Sequence, residues 1–96
     1  MSQMQMFRFQ LFVAGDTPNS VQAMNNLSHL CSRYLPDRHE IEVVDVIREP
    51  ARALAESVFM TPTLVKLGPD PSRKMVGTLS NAPLVLQTLG LEAGTT

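Results

Sequence analysis

The chain has 96 residues, of which 44% are apolar and 18% charged, and its formal net charge is -1. That is the composition of one ordinary globular domain, here expected over 1–96 with an ordered core at 7–91, and it lacks the basic field of a non-specific nucleic-acid binder. One cysteine, Cys31, excludes a disulfide framework and a cysteine-based zinc site; the absence of a long apolar run or a secretion-type start excludes a membrane span and predicts a cytoplasmic protein.

In chain order, Phe7 to Val13 alternates apolar and polar residues and reads as a strand. Phe12 interrupts the polar face, so helices are expected on both sides of the sheet. Gly15-Asp16-Thr17-Pro18 punctuates, with Thr17 as N-cap and Pro18 at the first helical position. Val21, Met24, Leu27, Leu30, Cys31 and Tyr34 follow at three- and four-residue steps, the apolar face of a helix that Pro36-Asp37 ends. Ile41 to Ile47 is a second strand, parallel to the first through a right-handed crossover. Pro50 opens a second helix carrying Ala51, Leu54, Ala55 and Val58. Thr61-Pro62 breaks it, Thr63 to Leu67 is a third strand, and Gly68-Pro69-Asp70-Pro71-Ser72 is a turn. Arg73 to Thr78 pairs back antiparallel. Ser80 caps a short last helix over Pro83 to Leu89, and Gly90 stops it. The termini, Met1–Met6 and Glu92–Thr96, are expected to be loose.

The order βαβαββα, a parallel βαβ joined to a hairpin in a mixed four-stranded sheet, is similar to the thioredoxin-like fold. The Thr61-Pro62 step sits where that fold carries a cis proline. Its reactive dithiol would lie at the first strand–helix junction, and here that stretch is Thr17-Pro18-Asn19-Ser20. Hydroxyls have no disulfide state, so thiol exchange through this motif is excluded. Cys31 falls on the apolar helix face and reads as a core residue. His29 and His39 read as solvated, with no second ligand at metal spacing. Asp16 and Asp45 could pair across strand ends, but turn capping is the plainer role. No catalytic residue, metal or cofactor is predicted. Lys66, Arg73 and Lys74 lie on the hairpin, and Arg52 on the nearby helix joins them. These four cations form either a solvated cluster protecting a sheet edge or a binding patch.

Three blocks stand in an order and at separations that together resemble the KaiB family of circadian clock proteins. They are F-V-A-G-D-T-P-N-S-V (Phe12–Val21), V-V-D-V-I-R-E-P (Val43–Pro50) and T-P-T-L-V-K-L-G-P-D-P-S-R-K-M-V-G-T-L-S (Thr61–Ser80). The resemblance implies a non-catalytic, cofactor-free protein that docks on a hexameric KaiC-like ATPase and modulates its phosphorylation and ATPase cycle. It implies two folds: the thioredoxin-like monomer, and a tetramer with the order βαββααβ. Pro50 through Leu91 is the segment rebuilt between them, and it contains the fold-switch prolines Pro62, Pro69 and Pro71. Lys66, Arg73 and Lys74 match basic positions of the family and, with Arg52, are the expected partner contacts. KaiA and a clock-output histidine kinase are the further partners the resemblance offers, but Gln22 stands where the family carries a basic residue used to capture KaiA, which argues against them. Two other readings remain open: the sensor domain of a clock-output histidine kinase, which shares the fold, and a thiol oxidoreductase.

Overall fold

A computed structural model describes residues 5–91. Four strands, β1 (Phe7–Val13), β2 (His39–Asp45), β3 (Thr63–Gly68) and β4 (Arg73–Val76), form one sheet in the order β2-β1-β3-β4. β2 runs parallel to β1, while β3 is antiparallel to both β1 and β4. The helices are α1 (Pro18–Tyr34), α2 (Pro50–Ala55) and α3 (Ala82–Thr88). The predicted βαβαββα order and mixed sheet are therefore present. The ends expected to be loose lie outside the described residues, apart from Gln5 and Met6.

β1 is the central strand, and its alternation divides the core. Phe7, Phe9, Leu11 and Val13 join Leu27, Leu30 and Cys31 of α1, Leu64 of β3, and Val85, Leu86 and Leu89 in and after α3. Phe12 points the other way and is fully buried with Val44, Ala53, Val58 and Val65. Both faces of the sheet are thus used, as Phe12 foretold. The α2 side is the thinner one, since α2 spans only six residues and buries only Ala53. At about 1.5–3 kcal/mol per fully buried large apolar side chain, most of the hydrophobic stabilisation lies on the α1/α3 side.

Local details depart from expectation in instructive ways. Val21 is exposed, and Ser20 and Ala23 are buried in its place. The helix is rotated by the turn that precedes it: Thr17 Oγ1 donates to Ser20 Oγ at 2.8 Å, and the Ala14 amide donates to the same oxygen at 3.1 Å. Thr17 is the N-cap residue, but its side chain is spent on Ser20 and makes no cap bond. β2 begins earlier than predicted, at His39, whose Nδ1 is 2.7 Å from the Leu35 carbonyl oxygen. It ends at Asp45, leaving Ile47 exposed. Asp45 Oδ1 accepts from the amides of Gly15 at 3.2 Å and Ile47 at 2.9 Å, tying the ends of β1 and β2 together. The cap of α3 is Asn81, whose Oδ1 accepts from Leu84 N at 3.2 Å. Ser80 instead meets Thr78 Oγ1 and Gln22 Nε2. The Thr61-Pro62, Gly68-Pro69 and Asp70-Pro71 peptide bonds are cis.

Candidate functional site

The hairpin β3–β4 and the end of α2 enclose a shallow groove of about 400 Å³ lined by Glu56, Val65, Leu67, Ser72, Arg73 and Lys74. Its floor follows from strand alternation. Thr63, Val65 and Leu67 share one face of β3, and Val65 pairs with Lys74 across the hairpin. Lys74 therefore leaves β4 toward α2, where its ammonium donates to the Glu56 carbonyl oxygen. Leu67, which is exposed, gives the groove an apolar component beside Val65; Val76, exposed on the same sheet face, lies outside it.

The four predicted cations do not gather into one patch. Lys66 is only 3% exposed. It pairs with Phe9 on one side and Arg73 on the other, so it points into the α1/α3 core. There its Nζ lies 5.6 Å from the centroid of the Phe7 ring and donates to the Leu89 carbonyl oxygen at 3.3 Å. Burial holds its pKa below the usual lysine value; repulsion from Arg73 adds to this and attraction to Asp70 opposes it. The solvated role read from its sequence neighbours is corrected: period two in a strand buried on both faces sends Lys66 inward with Leu64. Arg52 is turned toward the opposite edge of the sheet. It makes two bonds to the Glu42 carboxylate, at 2.6 and 2.7 Å, and a longer contact with Glu49 at 3.7 Å. Hydrogen bonds from Arg52 first, and from Gln10 second, lower the Glu42 pKa to about 2. Arg73 and Lys74 remain exposed on the hairpin, and neither forms a salt bridge among the described residues. Their cross-strand partners, Lys66 and Val65, put them on opposite faces of the sheet.

The thioredoxin-type junction is a hydroxyl site. Ser20 is fully buried and Thr17 exposed, and a second depression of about 320 Å³ beside them is lined by Ala14, Thr17, Pro18, Asn19 and Thr61. Cys31 is 2% exposed, and burial pushes its pKa up to about 12. Among the described residues no group of three or more His, Cys, Asp or Glu side chains is placed to hold a metal ion, and no helix is long and apolar enough to cross a membrane. Sequence reasoning missed the exposed apolar side chains Ile47, Leu54, Phe59 and Met60. Leu54 lies on α2 as expected, but that six-residue helix buries only Ala53. The doublet Phe59-Met60, directly before Thr61-Pro62 in a loop, was the available signal.

Comparison with known proteins completes the picture. The KaiB domain family model matches residues 10–91. "Circadian clock protein KaiB3" of Synechocystis sp. is 37% identical over 83 residues, 86% of this chain and 79% of that protein. The "Circadian clock oscillator protein KaiB" of Acaryochloris marina is 40% identical over 82 residues, 85% of this chain and 79% of that protein. Among solved structures, the N-terminal domain of Synechococcus elongatus SasA is similar with a TM-score of 0.73 at 22% identity, covering 100% of this chain and 94% of that one. Chloroplastic thioredoxin z is similar with a TM-score of 0.74 at 19% identity, covering 94% and 81%. These two likenesses establish a thioredoxin-like fold, and the family match together with the level of identity over most of its length shows that the chain belongs to the KaiB family.

Proposed function

We propose that this protein is a KaiB-type clock regulator that binds a hexameric KaiC-like ATPase and modulates its phosphorylation and ATPase cycle, with no catalysis of its own. The observation that carries this reading is the family match over residues 10–91. The relatives' names supply the clock role. The hairpin groove, with Lys74 and Arg73 exposed beside Leu67, supplies a docking surface of mixed charged and apolar character, which is the usual make-up of an interface. Lys66 enters as a support beneath this hairpin, and Arg52 as a brace between α2 and β2.

The test is co-elution with a KaiC hexamer in the presence of nucleotide. Charge reversal by Arg73→Glu or Lys74→Glu should weaken binding in a salt-dependent manner, because screening acts on exposed charges. Unchanged affinity for both reversals removes this surface from the contact. No co-elution with any KaiC-like ATPase sinks the reading itself.

The family reading includes exchange with a second, tetrameric fold, in which Pro50 through Leu91 is rebuilt and Pro62, Pro69 and Pro71 act as the switch prolines. Backbone chemical shifts over Ala82–Thr88 report on it. A second set of strand-like shifts there, appearing with tetramer in sizing experiments, supports two folds; helical shifts alone at every concentration and temperature exclude them. Capture of KaiA is the less favoured partnership, since Gln22 is a neutral side chain whose amide donates to Ser80 Oγ at 3.1 Å.

A further inference from the structure

β4 is an outer strand of the sheet, and the hydrogen-bond register says which of its backbone groups face outward. Gly77 N donates to Pro62 O at 2.9 Å, and Thr63 pairs with Val76. In an antiparallel ladder, hydrogen-bonded and non-bonded pairs alternate. Pro62–Gly77, Leu64–Met75 and Lys66–Arg73 are therefore the bonded pairs. Lys74 and Val76 belong to the non-bonded pairs, and their N–H and C=O groups point away from β3. Among the described residues, none of these groups has another backbone partner. Exposed edges of this kind are commonly shielded by a lysine extended over them. Here Lys74 is drawn back toward α2 by its bond to the Glu56 carbonyl oxygen, and Val76 beside it is 56% exposed.

The side chains along this edge define what fits it. Arg73 and Lys74 are exposed cations without a salt bridge among the described residues. The outer strand at the other side, β2, carries Glu40, Glu42 and Asp45 and is of opposite sign. We propose that the edge of β4 accepts an extended acidic segment of a partner protein as a fifth strand, running antiparallel to β4. Read along the incoming strand, the residue opposite Val76 is apolar, the one opposite Met75 is unrestricted, and those opposite Lys74 and Arg73 are acidic. Main-chain bonds to Lys74 and Val76 supply affinity, and the two cations set direction and register. This mode of docking does not depend on the partner being an ATPase.

A short capped peptide whose centre reads Ile-Thr-Glu-Glu tests it alone, against amide-labelled protein. The expected result is saturable shifts of the Lys74 and Val76 amides, with the His39–Asp45 amides unmoved. Val76→Pro removes an edge N–H that takes no part in the ladder, so β3–β4 pairing is retained. It and Lys74→Glu should each weaken the peptide by about ten-fold or more. A peptide with Lys in place of both Glu residues, or one N-methylated at the amides facing β4, should not bind. Shifts centred on β2, or binding indifferent to Lys74→Glu and to N-methylation, overturn the proposal even if Val76→Pro fails to fold. Concentration-dependent broadening confined to β4 without peptide would assign the edge to a second copy of this chain and also overturn it.

Discussion

The ammonium of Lys66 reaches across the core to the carbonyl of Leu89, the residue that closes α3, from a side chain only 3% exposed. One bond thus joins the middle of the sheet to the end of the last helix. The cation sits near the C-terminal end of α3, where the helix presents its partial negative charge. The bond is long at 3.3 Å, and Lys66 forms no salt bridge among the described residues, so much of the cost of burying the charge is left without compensation.

The first prediction separates charge from packing. Lys66→Met keeps an unbranched chain against Phe7 and removes the buried charge, so the variant should be at least as stable as the parent at pH 7. Lys66→Ala loses the packing as well as the bond and should be destabilised by about 1–3 kcal/mol. Denaturant midpoints decide; Lys66→Met falling below the parent would mean that the charge itself holds α3. The pH dependence follows with a definite sign. The folded pKa of Lys66 lies below its unfolded value of 10.5, so the unfolded chain binds more protons between the two. Stability therefore rises with pH across that interval relative to Lys66→Met, which a pair of alkaline unfolding series will show.

This lysine also marks how far the sequence could be read. The fold order was legible because the local signals agreed: alternation at Phe7–Val13, Pro18 and Pro50 at helix starts, and the breakers between Leu67 and Arg73. The cation cluster was misread because proximity in sequence is not proximity on a sheet. Lys66 and Lys74 lie on opposite faces, and Arg52 turns toward β2. Applying period two to T-L-V-K-L would have sent Lys66 inward with Leu64. By contrast, the pairing of Arg52 with Glu42 depends on where α2 crosses the sheet, and no local pattern encodes that.

The Glu42 carboxylate gives the second prediction. Arg52 and Gln10 hold its pKa near 2, against an ordinary 4.5. Its contribution to stability is complete above 4.5 and disappears as pH falls toward 2. Because the pair is exposed, the effect on global stability is small, and the carboxyl resonance is the better readout. Arg52→Ala should move the Glu42 midpoint up toward the ordinary value. A midpoint that stays put would assign the shift to Gln10 alone.

Ser20 gives the third. Its oxygen receives the Ala14 amide and the Thr17 hydroxyl at the turn that sets the rotation of α1. Ser20→Ala leaves the Ala14 amide without that acceptor and should cost about 1–3 kcal/mol. Thr17→Ala leaves Ser20 free to accept from Ala14 and should cost less. Equal losses in thermal unfolding would show that the Thr17–Ser20 bond, not the amide, carries the turn.

The fourth prediction bears on the redox reading. Cys31 is the only thiol in the chain, and thiol exchange requires a thiolate that can be reached. Burial both hides the sulfur and pushes its pKa up to about 12. At pH 8 the thiol form then dominates, even before access is considered. Native protein should resist alkylation, and denatured protein should label fully. The rate in native buffer should follow the opening of α1 from the sheet, rising in step with each destabilising variant above. Insulin reduction should be absent, since Thr17 and Ser20 cannot take the place of a resolving pair. Rapid stoichiometric labelling of the folded protein, indifferent to Ser20→Ala and to Lys66→Ala, would place Cys31 in an accessible, activated setting and return the oxidoreductase reading to consideration.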